Sequence, residues 1–212
     1  MSTGPAPPRN AAALWARFGV RWDDLSTQVL VLNLPGRGID QIAAWLGEAA
    51  RFGEPFRLTL RQLMGADLEV APGRVRICEN PAVVTTAADE LAEDAAPLVC
   101  TEGQPSSACH LLLEVLTAQG CRLAHRGDFD WAGLRIAGAL AERHRVAPWR
   151  FGAGDYARAA DAVGERAAPL SGSPVESPWD PDLAETMTRR GRAIYEEQVI
   201  DDLLADLDTR RR

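Results

Sequence analysis

The residues of this chain best suited to chemistry are carboxylates that follow short apolar runs. Glu79-Asn80 follows residues 74–78, Thr101-Glu102-Gly103 follows residues 97–100, and Gly127-Asp128-Phe129-Asp130 follows residues 121–126. If those runs are parallel strands, all three acidic segments leave the sheet at one edge, where open α/β sheets bind their ligands. Clustered carboxylates repel and raise one another's pKa, a cost that a hard divalent cation removes. Carboxylates plus waters are what Mg²⁺ prefers. In extended chain Asp128 and Asp130 point to the same side and can share an ion, and Gly127 lets the backbone turn sharply beside them. Asp130, ahead of Trp131-Ala132-Gly133, equally suits a helix cap. Glu79 is harder to explain that way, because Asn80-Pro81 already supplies a helix start.

Positioning these residues requires strands and helices in alternation. The pattern predicts strands over 74–78, 97–101 and 121–126 and helices over 81–91, 105–119 and 131–144, with a short fourth strand over 149–151. Three β-α units in succession mean a parallel sheet with right-handed crossovers. Ahead of them lie a helix over 11–18, a buried strand over 28–34, an amphipathic helix over 39–52, and a stretch 56–63 that reads as strand or helix. Asp155 reads as a helix cap before Tyr156. Residues 171–178 form a linker, and Asp180-Pro181 opens a further helix. The last helix carries Ile200, Leu203, Leu204 and Leu207 on one face, a stripe that must dock on the sheet domain. Glu196 shares that face and is expected to point inward, with Arg192 one turn earlier as its partner. Glu196 or Glu197 is therefore expected to support the acidic site. The expected fold class is α/β: a Rossmann-like parallel sheet of about four strands flanked by helices. Its organisation would be a disordered lead (1–13), an α/β lead-in (14–72), the sheet domain (73–170), and a linker with C-terminal helices (171–212).

The chain has 212 residues, 46% of them apolar, which suffices for one domain with a core. It contains no lysine; all 23 basic residues are arginine. Chemistry that needs a lysine of this chain, such as Schiff bases and Walker-type phosphate loops, is excluded. The net charge of −7 gives no overall attraction to nucleic acid, so any DNA must be met by local arginines, by metal or by another subunit. No apolar run approaches the ~18 residues that span a bilayer, and a cytoplasmic protein is expected. Cys78, Cys100, Cys109 and Cys121 have no close pairing and read as small apolar residues. The six tryptophans read as packing anchors. His110 and His144 read as fillers on helices, while His125 stands beside the carboxylates.

Cys-Glu-Asn-Pro-Ala-Val-Val (78–84), Cys-Thr-Glu-Gly-Gln-Pro-Ser (100–106) and His-Arg-Gly-Asp-Phe-Asp-Trp-Ala-Gly-Leu-Arg-Ile-Ala (125–137) resemble a Toprim fold, the catalytic module of topoisomerase VI A subunits and primases. More closely, residues 14–207 resemble the C-terminal part of the JetD family, the nuclease subunits of Wadjet plasmid-defence systems. The resemblance implies an Mg²⁺- or Mn²⁺-dependent DNA-cleaving centre. Glu79 would match the Toprim glutamate, and Asp128 and Asp130 the Asp-x-Asp pair. Asp128 and Asp130 would be metal ligands, and Glu79 a ligand or a general acid/base. Asn80 and Glu102 would support them. Arg126, Arg135, Arg189, Arg190 and Arg192 would hold phosphates, although the last three also suit a solvated helix face. Neither Tyr156 nor Tyr195 sits where topoisomerase relatives carry their nucleophile, so hydrolysis is expected. Partners implied are DNA, an SMC-like ATPase complex and a second copy, with no membrane. The rival expectation is a non-catalytic dimerisation or assembly module.

Overall fold

In the computed structural model, residues 23–211 are described. The expected lead over 1–13 and the helix over 11–18 lie outside them. The three β-α units form as the pattern predicts. Strand β5 (Arg74–Cys78) runs into α3 (Pro81–Leu91), β6 (Leu98–Cys100) precedes α4 (Ser107–Ala118), and β7 (Arg122–His125) precedes α5 (Trp131–His144). Each helix start has a local cause. Asn80 caps α3 ahead of Pro81, Ser106 caps α4, and Asp130 caps α5.

The sheet is larger than expected. It has six strands in the order β3-β1-β6-β5-β7-β8. Parallel pairing joins β6, β5, β7 and β8 (Ala147–Pro148), whereas β1 (Gln28–Leu32) runs antiparallel to both β6 and β3 (Phe56–Thr59). The two additional strands come from the lead-in, which also holds a separate antiparallel pair, β2 (Gly36–Arg37) and β4 (Glu69–Val70). The place of the two additional strands follows from β1 itself, because Val29 and Val31 are buried on one face and Leu30 and Leu32 on the other. A strand apolar on both faces belongs inside a sheet covered on both sides. The ambiguous stretch 56–63 is both things in turn: β3, then α2 (Leu60–Gly65), with Thr59 and Gln62 forming a capping box at the junction. The fourth parallel strand lies at Ala147–Pro148 rather than 149–151. Pro148 lacks a donor and is tolerated because β8 is an edge.

One face of the sheet packs against α1 (Gln41–Arg51), α2 and α4. The other is covered by α3 and by α8 (Ile200–Leu207), whose Leu203, Leu204 and Leu207 meet the cluster containing Val83, Val84 and Ala87. Asp206 pins α8 to the sheet edge by accepting from Trp149 Nε1 (2.8 Å) and from Arg150 Nε (2.7 Å) and Nη2 (2.8 Å). A third cluster gathers Phe129, Phe151, Tyr156, Leu183, Met187 and Ile194 between α5, α6 (Ala153–Val163) and α7 (Pro181–Arg190). In α6 the cap is Gly152, and Asp155 sits one turn inside, accepting from the Gly152 N–H. The free cysteines are all buried. Among the described residues no helix is long and apolar enough to cross a membrane.

Candidate active site

The carboxyl ends of β5 and β7 are neighbours, and each carries an acid into the same crevice. The Arg126 N–H donates to Ile77 O and extends the parallel pairing past β7 (2.9 Å). Gly127 follows. A Cβ there would lie 2.7 Å from Glu79 Oε2, so any side chain would push the glutamate carboxylate out of this position. The Asp128 N–H then donates to Glu79 Oε2 (3.3 Å). Within the first turn of α5, Gly133 meets a similar demand, because a side chain there would collide with the Asp128 carbonyl.

A third segment completes the crevice. A short strand β9 (Ala168–Pro169) pairs with β10 (Arg192–Ala193), and the chain continues into a 3₁₀ turn, Glu196–Val199. Phe129 and Ile194 exchange both main-chain hydrogen bonds, which lays this segment along the Asp128 loop. The Glu196 N–H donates to Asp128 Oδ1 (2.8 Å). The Glu196 carboxylate, wholly buried, accepts from the amides of Glu79 (2.9 Å) and Asn80 (2.6 Å) through Oε2. Exposed Glu197 accepts from Asn80 Nδ2 (2.7 Å). The inward orientation expected of Glu196 is thus observed, but its partners are backbone amides rather than Arg192.

Electrostatically the crevice is short of positive charge. Burial, then the Asp128 and Asp130 charges, push Glu79 up to about 7 against the Asp128 amide. Burial, with Glu197 and Asp130 adding to it, pushes Asp128 up to about 6 against the Glu196 amide and Arg126. Burial also raises Glu196 to about 8, despite its two amides and Arg126.

The remaining candidates fall in different places. Asp130 turns Oδ1 onto the Gly133 amide as the α5 cap (2.7 Å), so it does not simply face an ion beside Asp128. Among the described residues no three Asp, Glu, His or Cys side chains already stand as a ligand set. Arg126 corrects an expectation. Its guanidinium is 2% exposed, lies over the Phe129 ring (4.9 Å) and donates through Nη1 to Arg150 O (2.7 Å), so it cannot reach a phosphate in solvent. Its Nε and Nη2 have no partner. Arg135 is exposed on α5, Arg189 lies 3.9 Å from Glu185, Arg190 pairs with Asp161, and Arg192 donates to Ala167 O. Glu102 is engaged by a bidentate pair with Arg57 (2.7 Å twice), an arginine that sequence reasoning missed. His125 is buried edge-on to Phe151, and burial followed by the Arg126 charge lowers it to about 3, so it stays neutral. His110 and His144 pair with each other, Nδ1 to Nε2, at 2.9 Å.

A family model described as "protein of unknown function C-terminus" (DUF2399) matches residues 56–207. The chain belongs to that family. The DUF2399 span opens at the first residue of β3 and closes at the last of α8, so every member of the acidic cluster lies inside it. It leaves out β1, although β1 stands between β3 and β6 in the sheet. The DUF2399 unit of this chain is therefore completed by a strand that precedes it. No curated protein matches the chain.

Proposed function

We propose that the chain is a Toprim-type, Mg²⁺- or Mn²⁺-dependent domain that hydrolyses DNA phosphodiesters, cutting plasmid DNA together with an SMC-like ATPase complex. The observation that carries this reading is the pairing of Glu79 and Asp128. They sit at adjacent parallel strand ends, are joined through the Asp128 amide, and are both displaced toward neutral pH, chiefly by burial and then by neighbouring carboxylates, Asp128 and Asp130 for Glu79, Glu197 and Asp130 for Asp128. Two acids kept in contact at such a cost suit a divalent cation, and the donor set is all hard oxygen. Membership of a family defined by a C-terminal unit agrees with the C-terminal resemblance read from the sequence.

Asp128 and Asp130, the latter through Oδ2, would hold the cation, with Glu79 as a further ligand or as the general acid/base. Bound there, it would polarise the phosphodiester and lower the pKa of an attacking water. Glu79, near 7, is matched to exchanging a proton with that water or the leaving oxygen at neutral pH. The chain's net negative charge makes the partner complex the main source of DNA grip.

The test is plasmid nicking or linearisation with Mg²⁺ or Mn²⁺ and the SMC-like partner present. Glu79→Ala, Asp128→Ala and Asp130→Ala should each reduce cutting by about 100-fold or more. The double variants should be little worse, because groups that act as one unit are not additive. Asp128→Ala cutting like the wild type would end the nuclease reading. A second reading, an assembly module without catalysis, is favoured by the apolar side chains Ile39, Trp45, Phe52 and Met64, which are exposed on and around α1 and α2. It requires no metal response.

A further inference from the structure

Among the described residues, Glu196 is the one whose hydrogen bonds reach both acidic strand ends: its carboxylate holds the turn after β5, and its N–H holds Asp128 after β7. We propose that Glu196 is the positioning residue of the acidic centre, a clasp that sets where Glu79 and Asp128 present their free oxygens to a divalent cation. The proposal rests on the metal-dependent reading above and extends it to a segment 117 residues from Glu79.

The bonding pattern is what a clasp requires. A buried carboxylate costs several kcal/mol unless its oxygens are satisfied. Here Oε2 takes two amides from the point at which β5 leaves the sheet, so the backbone before and at Asn80 is held in one orientation. That backbone carries the Glu79 side chain. The Glu196 N–H takes Asp128 Oδ1, which fixes the Asp128 side chain and leaves Oδ2 as the oxygen it can offer. The double main-chain bridge between Phe129 and Ile194 keeps Glu196 in reach of both. Beneath it, Glu196 Oε1 and the Arg126 Nε and Nη2 are all without hydrogen-bond partners. Arg126 is thus an internal cation that acts on Glu196 through its charge and makes no hydrogen bond to it.

Removing a residue that orients metal ligands costs 10–100-fold in metal affinity. The experiment measures Mn²⁺ binding to the full chain without DNA, by calorimetry, for the wild type and for Glu196→Ala, Glu196→Gln and Asp128→Ala. The expected result is about 10-fold or greater loss for Glu196→Ala. Glu196→Gln retains an acceptor for the two amides and should stay within about threefold of the wild type. A folded Glu196→Ala that binds Mn²⁺ like the wild type overturns the proposal, as does Glu196→Gln binding as poorly as Asp128→Ala. If Glu196→Ala does not fold, Glu196→Asp, which keeps the carboxylate but shortens its reach to the two amides, takes its place with the same expected loss and the same overturning result. A wild type that binds no Mn²⁺ would instead remove the metal-dependent reading itself, an outcome distinct from failure of the clasp alone.

Discussion

The Asp128 N–H lies 3.3 Å from Glu79 Oε2, a hydrogen bond between the ends of two parallel strands that are 49 residues apart in the chain. It brings two acids together where water is partly excluded, and the amide offsets only part of the repulsion. Such an arrangement should respond to metal, protons and substitution in definite directions.

Mg²⁺ should stabilise the folded chain. A ligand at ten times its Kd adds about 1.4 kcal/mol, which is about 3–5 °C in melting temperature for a chain of this size. Asp128→Asn should abolish the rise and melt higher than the wild type in EDTA, because it removes one member of the repelling pair. Thermal melts across Mg²⁺ concentrations check both.

Stability should also depend on pH, with opposite signs on the two sides. Glu79, Asp128 and Glu196 titrate near 7, 6 and 8 in the fold, above their values in unfolded chain. The folded state therefore holds more protons between about pH 4 and 8, and metal-free stability falls as pH rises through that window. On the acid side, His125 at about 3 and His144 at about 4 are held neutral by burial, so stability falls again as pH drops below about 6.5. The two sets oppose each other between about pH 4 and 6.5, so melts in EDTA should show an uncompensated decline above about pH 6.5, carried by Glu79 and Glu196, and Asp128→Asn should change the profile mainly below about pH 7.

Asp206 is the bolt between α8 and the sheet. It accepts three hydrogen bonds from Trp149 and Arg150 and is held down at about 2, chiefly by the Arg150 hydrogen bond. Asp206→Ala should cost about 1.5–3 kcal/mol, the range for hydrogen bonds to charged groups. Denaturant unfolding measures it, and the slope should not change.

Arg126→Met should lower stability and leave the salt dependence of DNA binding as it is. The guanidinium is sealed from solvent and its one hydrogen bond goes to Arg150 O. A phosphate-binding arginine would instead reduce the salt slope by about one. Binding curves at several salt concentrations separate the two roles.

These contrasts show what was legible in the sequence. The limits of β5, α3 and α5 could be read to the residue because Asn80-Pro81 and Asp130 are start signals with a local cause. The direction of β1 could not, since a run apolar on both faces says that a strand is interior but not which way it runs. Asp130 was open between cap and ligand, and its Oδ1 is on the cap. Arg126 misled because a strand-end arginine reads the same whether it faces solvent or an aromatic ring. The inward face of Glu196 was visible in the spacing of Ile200, Leu203 and Leu207. Its partner was not, because residues 192–193 are a strand and 196–199 a 3₁₀ turn, so Arg192 is not one helical turn away.

The double bridge between Phe129 and Ile194 also sets an order of events during protein synthesis. Chains emerge N-terminus first, so residues 74–144 are available before Ile194 is made. The sheet, both acidic strand ends and helices α3 to α5 are complete in a chain that stops short of Ile194. Such a nascent chain has its acids and the Asp128 amide's bond to Glu79, but it lacks the Glu196 N–H that binds Asp128 Oδ1 and the Glu196 carboxylate that binds the Glu79 amide. Maturation of the crevice therefore waits until Glu196 has been translated.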